Sequence, residues 1–243
     1  MKKLIFASTL LALASAQAFA QSAFVNKGAG TFKPANLVCD MPSIVATVEE
    51  GSDGNFAYIS WNKPALSSGV TLTSPVTAGP GCGAGHCYYD FASGPYQYQV
   101  ARTNIVDDEN TLWCGRVTVK NGASTVYNKV CRTPARAVVQ CITRDYAVYV
   151  LKIADGSFGY RAYNHGESFT VPSLSLNGGT GTYGDGSGLA TYAFSNGPYS
   201  YSILTAPALS GATDGYARLI VSKGTTVVAD QLCEAYSLGY GAL

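Results

Sequence analysis

Apolar and polar residues alternate with period two along most of this chain, in short runs broken by Gly, Pro, Asn and Asp. Ser43 to Glu50 reads SIVATVEE and Tyr146 to Ile153 reads YAVYVLKI. Such β-branched runs, too short for a packed helix, predict strands. The stretches Asp53 to Asn62 and Asp155 to Asn164 follow, each opening on an Asp-Gly turn signal between strands. Within these, Phe56/Tyr58 and Phe158/Tyr160 stand two apart and share one sheet face. Further strands are expected at Val70 to Ser74, Phe169 to Leu176, Trp113 to Lys120, Tyr216 to Ser222, Ser124 to Val130 and Thr225 to Leu232. Asn121-Gly122 is a strong hairpin signal, with Lys223-Gly224 at the matching place. No convincing amphipathic helix is present after the first 20 residues.

These runs come in two sets. The second repeats the first at an offset of 102 residues, which becomes 103 where one residue is inserted before Gly184. The clearest echo is Phe91-Ala92-Ser93-Gly94-Pro95-Tyr96-Gln97-Tyr98 against Phe194-Ser195-Asn196-Gly197-Pro198-Tyr199-Ser200-Tyr201. The pattern predicts an all-β protein of two tandem, duplicated antiparallel domains, each a small sandwich or barrel. Two rivals are a single large barrel made from both copies and an outer-membrane barrel. The expected strands are shorter than the roughly 9–11 residues such a membrane barrel uses.

Cysteines frame the copies. Cys39 and Cys131 bracket the first, Cys141 and Cys233 the second, with the same spacing. One equivalent disulfide per domain is the simplest pairing, and each would stabilise by about 4–5 kcal/mol in a chain-entropy account. It requires the first and last strands of a copy to lie side by side and antiparallel. A bridge between Cys131 and Cys141 is the rival. Cys82, Cys87 and Cys114 have no counterpart cysteines. A small Cys82–Cys87 bridge is expected around Gly83-Ala84-Gly85-His86, leaving Cys114 as a free thiol, while Cys114 pairing with Cys82 or Cys87 stays open.

The N-terminus changes the setting. Met1-Lys2-Lys3, an apolar run from Leu4 to Ala14 and Ala18-Phe19-Ala20 have the form of a secretory leader. The expected organisation is a leader over 1–20, an extension over 21–38, a first β domain over 39–131, a connector over 132–140, a second β domain over 141–233 and a tail over 234–243. Export to the periplasm or the cell exterior follows, with no transmembrane segment after cleavage, and it suits seven cysteines. Without Lys2 and Lys3, the 16 basic side chains fall to 14 against 15 acidic ones. A near-neutral chain argues against nucleic acid as a partner. Charged residues are only 13% of the sequence, while Gly and Tyr number 27 and 17.

Candidate chemistry is thin. The two histidines are His86 and His165. Cys82, His86 and Cys87 mix sulfur with imidazole, but a metal site needs three or four ligands and no second cluster supplies them. No metal or other cofactor is expected. No Gly-x-Ser-x-Gly elbow occurs in a strand-to-helix context. Asp107-Asp108-Glu109 reads as a solvated loop. The tyrosines Tyr96, Tyr98, Tyr199 and Tyr201, with Trp61 and its counterpart Tyr163, would form stacking platforms for a glycan or a protein partner if exposed. Their presence in both copies points instead toward a shared core. The expected function is non-enzymatic: binding of a glycan, cell-wall polymer or envelope protein, or a structural role at the cell surface. The alternatives are a secreted hydrolase or metal-dependent enzyme centred on His86, and a protease inhibitor presenting the Cys82–Cys87 loop.

Overall fold

Within each sheet most strands hydrogen-bond to the next run in sequence, so the chain folds back and forth as antiparallel meanders. A computed structural model describes residues 37–50, 55–74, 86–103, 115–132, 137–183, 190–206 and 216–238, and every regular element among them is a strand. The leader, Cys82 and Cys114 lie outside the described residues. In the first half, β1 (Leu37–Asp40), β2 (Ile44–Glu50), β3 (Phe56–Asn62) and β4 (Ser67–Ser74) pair in order. A second sheet follows, made of β5 (His86–Ser93), β6 (Tyr96–Thr103), β7 (Gly115–Asn121) and β8 (Ser124–Cys131).

The second half makes one sheet of nine strands. It runs through β9 (Ala137–Ile142), β10 (Tyr146–Lys152), β11 (Phe158–Asn164), β12 (Leu174–Tyr183), β13 (Ala190–Asn196), β14 (Tyr199–Ala206), β15 (Tyr216–Lys223) and β16 (Thr226–Leu232). The last strand, β17 (Ala235–Leu238), pairs with β9 at the opposite end of the strand order. Only Cys233 and Glu234 separate β16 from β17, so the sheet must curl until its two ends meet.

Disulfides pin the curl at matching places. Cys39–Cys131 joins β1 to β8, and Cys141–Cys233 joins β9 to the turn before β17. Beside the first, Arg132 N–H donates to Asp40 C=O at 2.8 Å in an antiparallel bridge. Beside the second, Glu234 N–H donates to Ile142 C=O at 2.6 Å. First and last strands therefore meet antiparallel in both halves. Two disulfides are consistent with an oxidising compartment.

Aromatic rings fill each core in the same pattern. Phe56–Tyr89, Tyr58–Phe91 and Tyr58–Tyr98 lie 5.2, 5.8 and 5.6 Å apart between ring centroids. Phe158–Tyr192, Tyr160–Phe194 and Tyr160–Tyr201 lie 5.0, 5.3 and 5.5 Å apart. Such pairs contribute about 0.5–1.5 kcal/mol each beyond area burial. Burial pushes the Tyr58 phenol up to about 12, and it raises the Tyr160 phenol as well.

Three local expectations change. The hairpin loops are Gly94-Pro95, Gly122-Ala123, Gly197-Pro198 and Gly224-Thr225, each led by a glycine with φ of 57° or 58°. That is the type II′ arrangement, and it leaves Asn121 in the ladder opposite Tyr96. The strand expected from Phe169 begins only at Leu174, because Pro172 has no N–H to donate. The connector over 132–140 is strand β9 from Ala137 onward, and Ala137 to Gln140 are all buried. Similarly, Leu37 and Val38 of the extension belong to β1, and Ala235 to Leu238 of the tail form β17.

Candidate functional site

The outward face of the first half's second sheet carries the best candidate site. Strand alternation sends Tyr89, Phe91 and Val100 into the core and turns their neighbours outward. Cross-strand register then lines these neighbours up in three rows. Tyr88, Ala101, Arg116 and Val130 form one, and Asp90, Gln99, Thr118 and Asn128 the next. Ala92, Gln97 and Lys120 form the third. An open groove of about 510 Å³ runs over the second and third rows, lined by Asp90, Ala92, Gln97, Gln99, Thr118 and Lys120 together with Phe91 and Tyr98.

Hydrogen bonds orient one polar pair inside the groove and one beside it. Gln99 Nε2 donates to Asp90 Oδ1 at 2.9 Å, and Arg116 Nη1 donates to Asn128 Oδ1 at 2.6 Å. Asp90 and Lys120 stand two strands and one row apart, about 12 Å between their backbones at normal strand geometry. The arrangement offers a carboxylate, two amides, a hydroxyl and an ammonium to a polar ligand. It presents no imidazole or thiol for covalent or general acid–base chemistry.

The corresponding face of the second half is built on the same register from different residues. Ala193, Ser200, Ser202, Ile220 and Ser222 stand where the first half has Asp90, Gln97, Gln99, Thr118 and Lys120. The long polar side chains are gone. Arg218 keeps its place but is clasped by Asp230, Nη2 to Oδ2 at 2.6 Å.

A second polar cluster is buried where the halves meet. Asp40 on β1 is completely buried and accepts hydrogen bonds from Lys63 Nζ, from Arg132 and from the Tyr149 hydroxyl, the last at 2.9 Å. The Arg132 guanidinium lies 3.6 Å from the centroid of Tyr163 and 3.9 Å from that of Phe169, and it donates to Phe169 C=O. Gln140 Nε2 donates to Val38 C=O at 3.1 Å and Arg132 C=O at 3.2 Å. Asp40, Lys63 and Arg132 come from the first half, whereas Tyr149, Tyr163 and Phe169 come from the second. Phe169 reaches this cluster because it stays in a loop instead of joining β12. Burial lowers the Lys63 pKa, with Asp40 opposing. The Tyr163 hydroxyl and His165 Nδ1 are buried without a hydrogen-bond partner among the described residues. The cluster has the character of a structural joint, since two cations share one carboxylate, aromatic faces and a backbone carbonyl out of reach of solvent.

The residues singled out from sequence fall in several places. Trp61 and Tyr163 are buried, at 7% and 1% exposure. Tyr98 and Tyr201 are half-buried against Tyr58 and Tyr160. Tyr96 is exposed beside its hairpin tip, and Tyr199 carries Lys223 Nζ at 5.6 Å from its ring centroid. These six form no continuous platform. His86 and Cys87 occupy backbone positions on β5 opposite Thr103 and Arg102, with their side chains outside the description. Among the described residues, no group of three His, Cys, Asp or Glu is placed to hold a metal, and no helix is long and apolar enough to cross a membrane. Asp90, Gln97, Gln99, Thr118 and Lys120 carry no motif of their own in the sequence; the signal that marks them is the contrast between outward positions of the first half and Ala193, Ser200, Ser202, Ile220 and Ser222 of the second.

Comparison with protein-family models, with curated proteins and with solved structures finds no match. The functional reading therefore rests on the site itself.

Proposed function

We propose that this is an exported, non-enzymatic binding protein made of two duplicated β domains, whose first copy presents the β5–β7 groove to a glycan of the cell wall or envelope. Three matched aromatic pairs, matched disulfides and matched hairpin turns support the duplication. The single observation that carries the binding reading is the groove itself, with Asp90, Gln97, Gln99, Thr118 and Lys120 gathered on an outward face. Amides and carboxylates at fixed spacing suit a ligand rich in hydroxyl groups, which both donates and accepts. The second copy, with serine, alanine and isoleucine at these positions, serves in this reading as scaffold.

A glycan panel probed with the exported chain tests this. Binding is expected, and Gln97→Ala/Gln99→Ala should weaken it at least roughly tenfold, the loss expected when bonds that fix a polar ligand are removed. The matching change Ser200→Ala/Ser202→Ala should leave it unaltered. A parent-like affinity in the glutamine variant would remove the groove from the function.

A further inference from the structure

The two outward faces manage charge in different ways. On the second, Arg218 is the only cation of the rows, and the Asp230 carboxylate neutralises it. On the first, Asp90, Arg116 and Lys120 are the ionic groups, and the first two hydrogen-bond to the neutral amides of Gln99 and Asn128. Two cations thus stand against one carboxylate, so the face keeps one positive charge in excess. Both cations lie on β7, at positions 116 and 120 of its outward side, while Asp90 is across the groove on β5. Tyr88 stands two residues from Asp90 on the same side of β5 and is 45% exposed. Its ring offers an apolar surface with a polar tip, which suits the carbon–hydrogen face of a sugar.

We propose that the ligand of this face is an acidic polysaccharide, whose hydroxyls meet Asp90, Gln97, Gln99 and Thr118 and whose carboxylate or phosphate meets Lys120. The inference rests on the glycan reading above and narrows it to one chemical class. Arg116, held by Asn128, adds longer-range attraction from the neighbouring row. Asp90 and Lys120 lie about 12 Å apart on the diagonal of the groove, longer than one sugar ring, so an acid group at Lys120 with the hydroxyls of a neighbouring ring at Asp90 fits a polymer better than a free monosaccharide. An anionic chain would also be steered onto the β7 side, and salt would weaken that steering.

The test titrates the full exported chain with polygalacturonate, with the same polymer methyl-esterified, and with poly(glycerol phosphate). Polygalacturonate is expected to bind roughly tenfold more tightly than its ester at low salt, with the gap closing at high salt. Poly(glycerol phosphate) reports whether phosphate replaces carboxylate. Lys120→Gln should bring polygalacturonate down to the level of the ester, while Gln97→Ala weakens both forms alike. Unchanged thermal melting of each variant excludes misfolding as the cause. Equal binding of the acidic and esterified forms would overturn the acidic class and leave the glycan reading standing. Binding of none of the three, together with an empty glycan panel, would overturn both.

Discussion

The two halves of this chain hold the same aromatic core and differ where it meets something else. Phe56, Tyr58, Tyr89, Phe91 and Tyr98 have Phe158, Tyr160, Tyr192, Phe194 and Tyr201 as counterparts, and their ring distances agree within about half an ångström. Backbone bonds agree too. Lys63 N–H donates to Ser43 C=O at 2.8 Å, as His165 N–H donates to Asp145 C=O at 3.0 Å. The side chains on this common frame diverge. Asp40, Lys63 and Arg132 of the first half face Ile142, His165 and Glu234 of the second in sequence position. On the outward sheet, Asp90 and Lys120 face Ala193 and Ser222. Interior positions are held by volume and ring packing, which allow few alternatives. Positions that meet the other half or a ligand answer to local chemistry and are free to change.

The buried joint should show the largest contrast. Asp40→Asn leaves Lys63 and Arg132 buried beside an amide in place of a carboxylate. Removing one partner of a buried ion cluster costs about 3–5 kcal/mol. The counterpart change, Ile142→Val, removes one methylene from an apolar site and should cost about 1 kcal/mol. Urea unfolding of both variants gives the comparison. An Asp40→Asn loss no greater than that of Ile142→Val would show that the cluster is not what holds this corner. Burying three ions is itself unfavourable, so the cluster is better understood as fixing how the halves seat together than as a net source of stability.

Acid should then separate the halves further. His165 is held below the usual histidine range by burial, with Thr143 C=O opposing, Lys63 and Arg132 adding to the shift and Asp40 countering them. Its Nε2 is 2.9 Å from Thr143 C=O. The unfolded imidazole takes up a proton near pH 6.5, whereas the folded one does so only at lower pH. The unfolded state therefore binds more protons in that window, and stability falls as pH drops through it. Above pH 6.5 this contribution is complete. Denaturant midpoints measured across the window should drop in the parent and drop less in His165→Gln. An unchanged slope in the variant would place the acid sensitivity elsewhere.

Much of the fold was legible because strand alternation and turn chemistry are local. Phe56/Tyr58 and Phe158/Tyr160 point inward as their spacing requires, and Gly94 and Gly122 stand at turn positions that need positive φ. The equal spacing of Cys39–Cys131 and Cys141–Cys233 also carried the antiparallel closure of each curl. The joint was not legible. Asp40 and Arg132 are 92 residues apart, and Tyr149 and Phe169 reach them from the other half, so no local pattern announces the cluster. The run from Phe169 to Leu176 looks like a strand in sequence, but the ladder starts only at Leu174, beyond Pro172. The groove was hidden for a different reason. Gln97, Gln99 and Thr118 are ordinary residues, and their meaning comes only from cross-strand register and from contrast with Ser200, Ser202 and Ile220.

The smallest expected effect lies on the surface and tests the outward faces directly. Arg218 and Asp230 are partly exposed, at 44% and 37% of their side chains, so solvent screens their attraction. Asp230→Asn should cost less than about 1 kcal/mol. The reciprocal change, Asn128→Asp, gives Arg116 the carboxylate that its counterpart already has, and it should alter stability just as little. Its effect on binding should be larger than its effect on folding. It cancels the excess positive charge of the first face, so affinity for polygalacturonate should fall toward that for the esterified polymer. If Asn128→Asp left that preference intact while Lys120→Gln removed it, Lys120 alone would set the charge recognition and Arg116 would be a bystander. If both changes removed it, the net charge of the face is what the ligand senses.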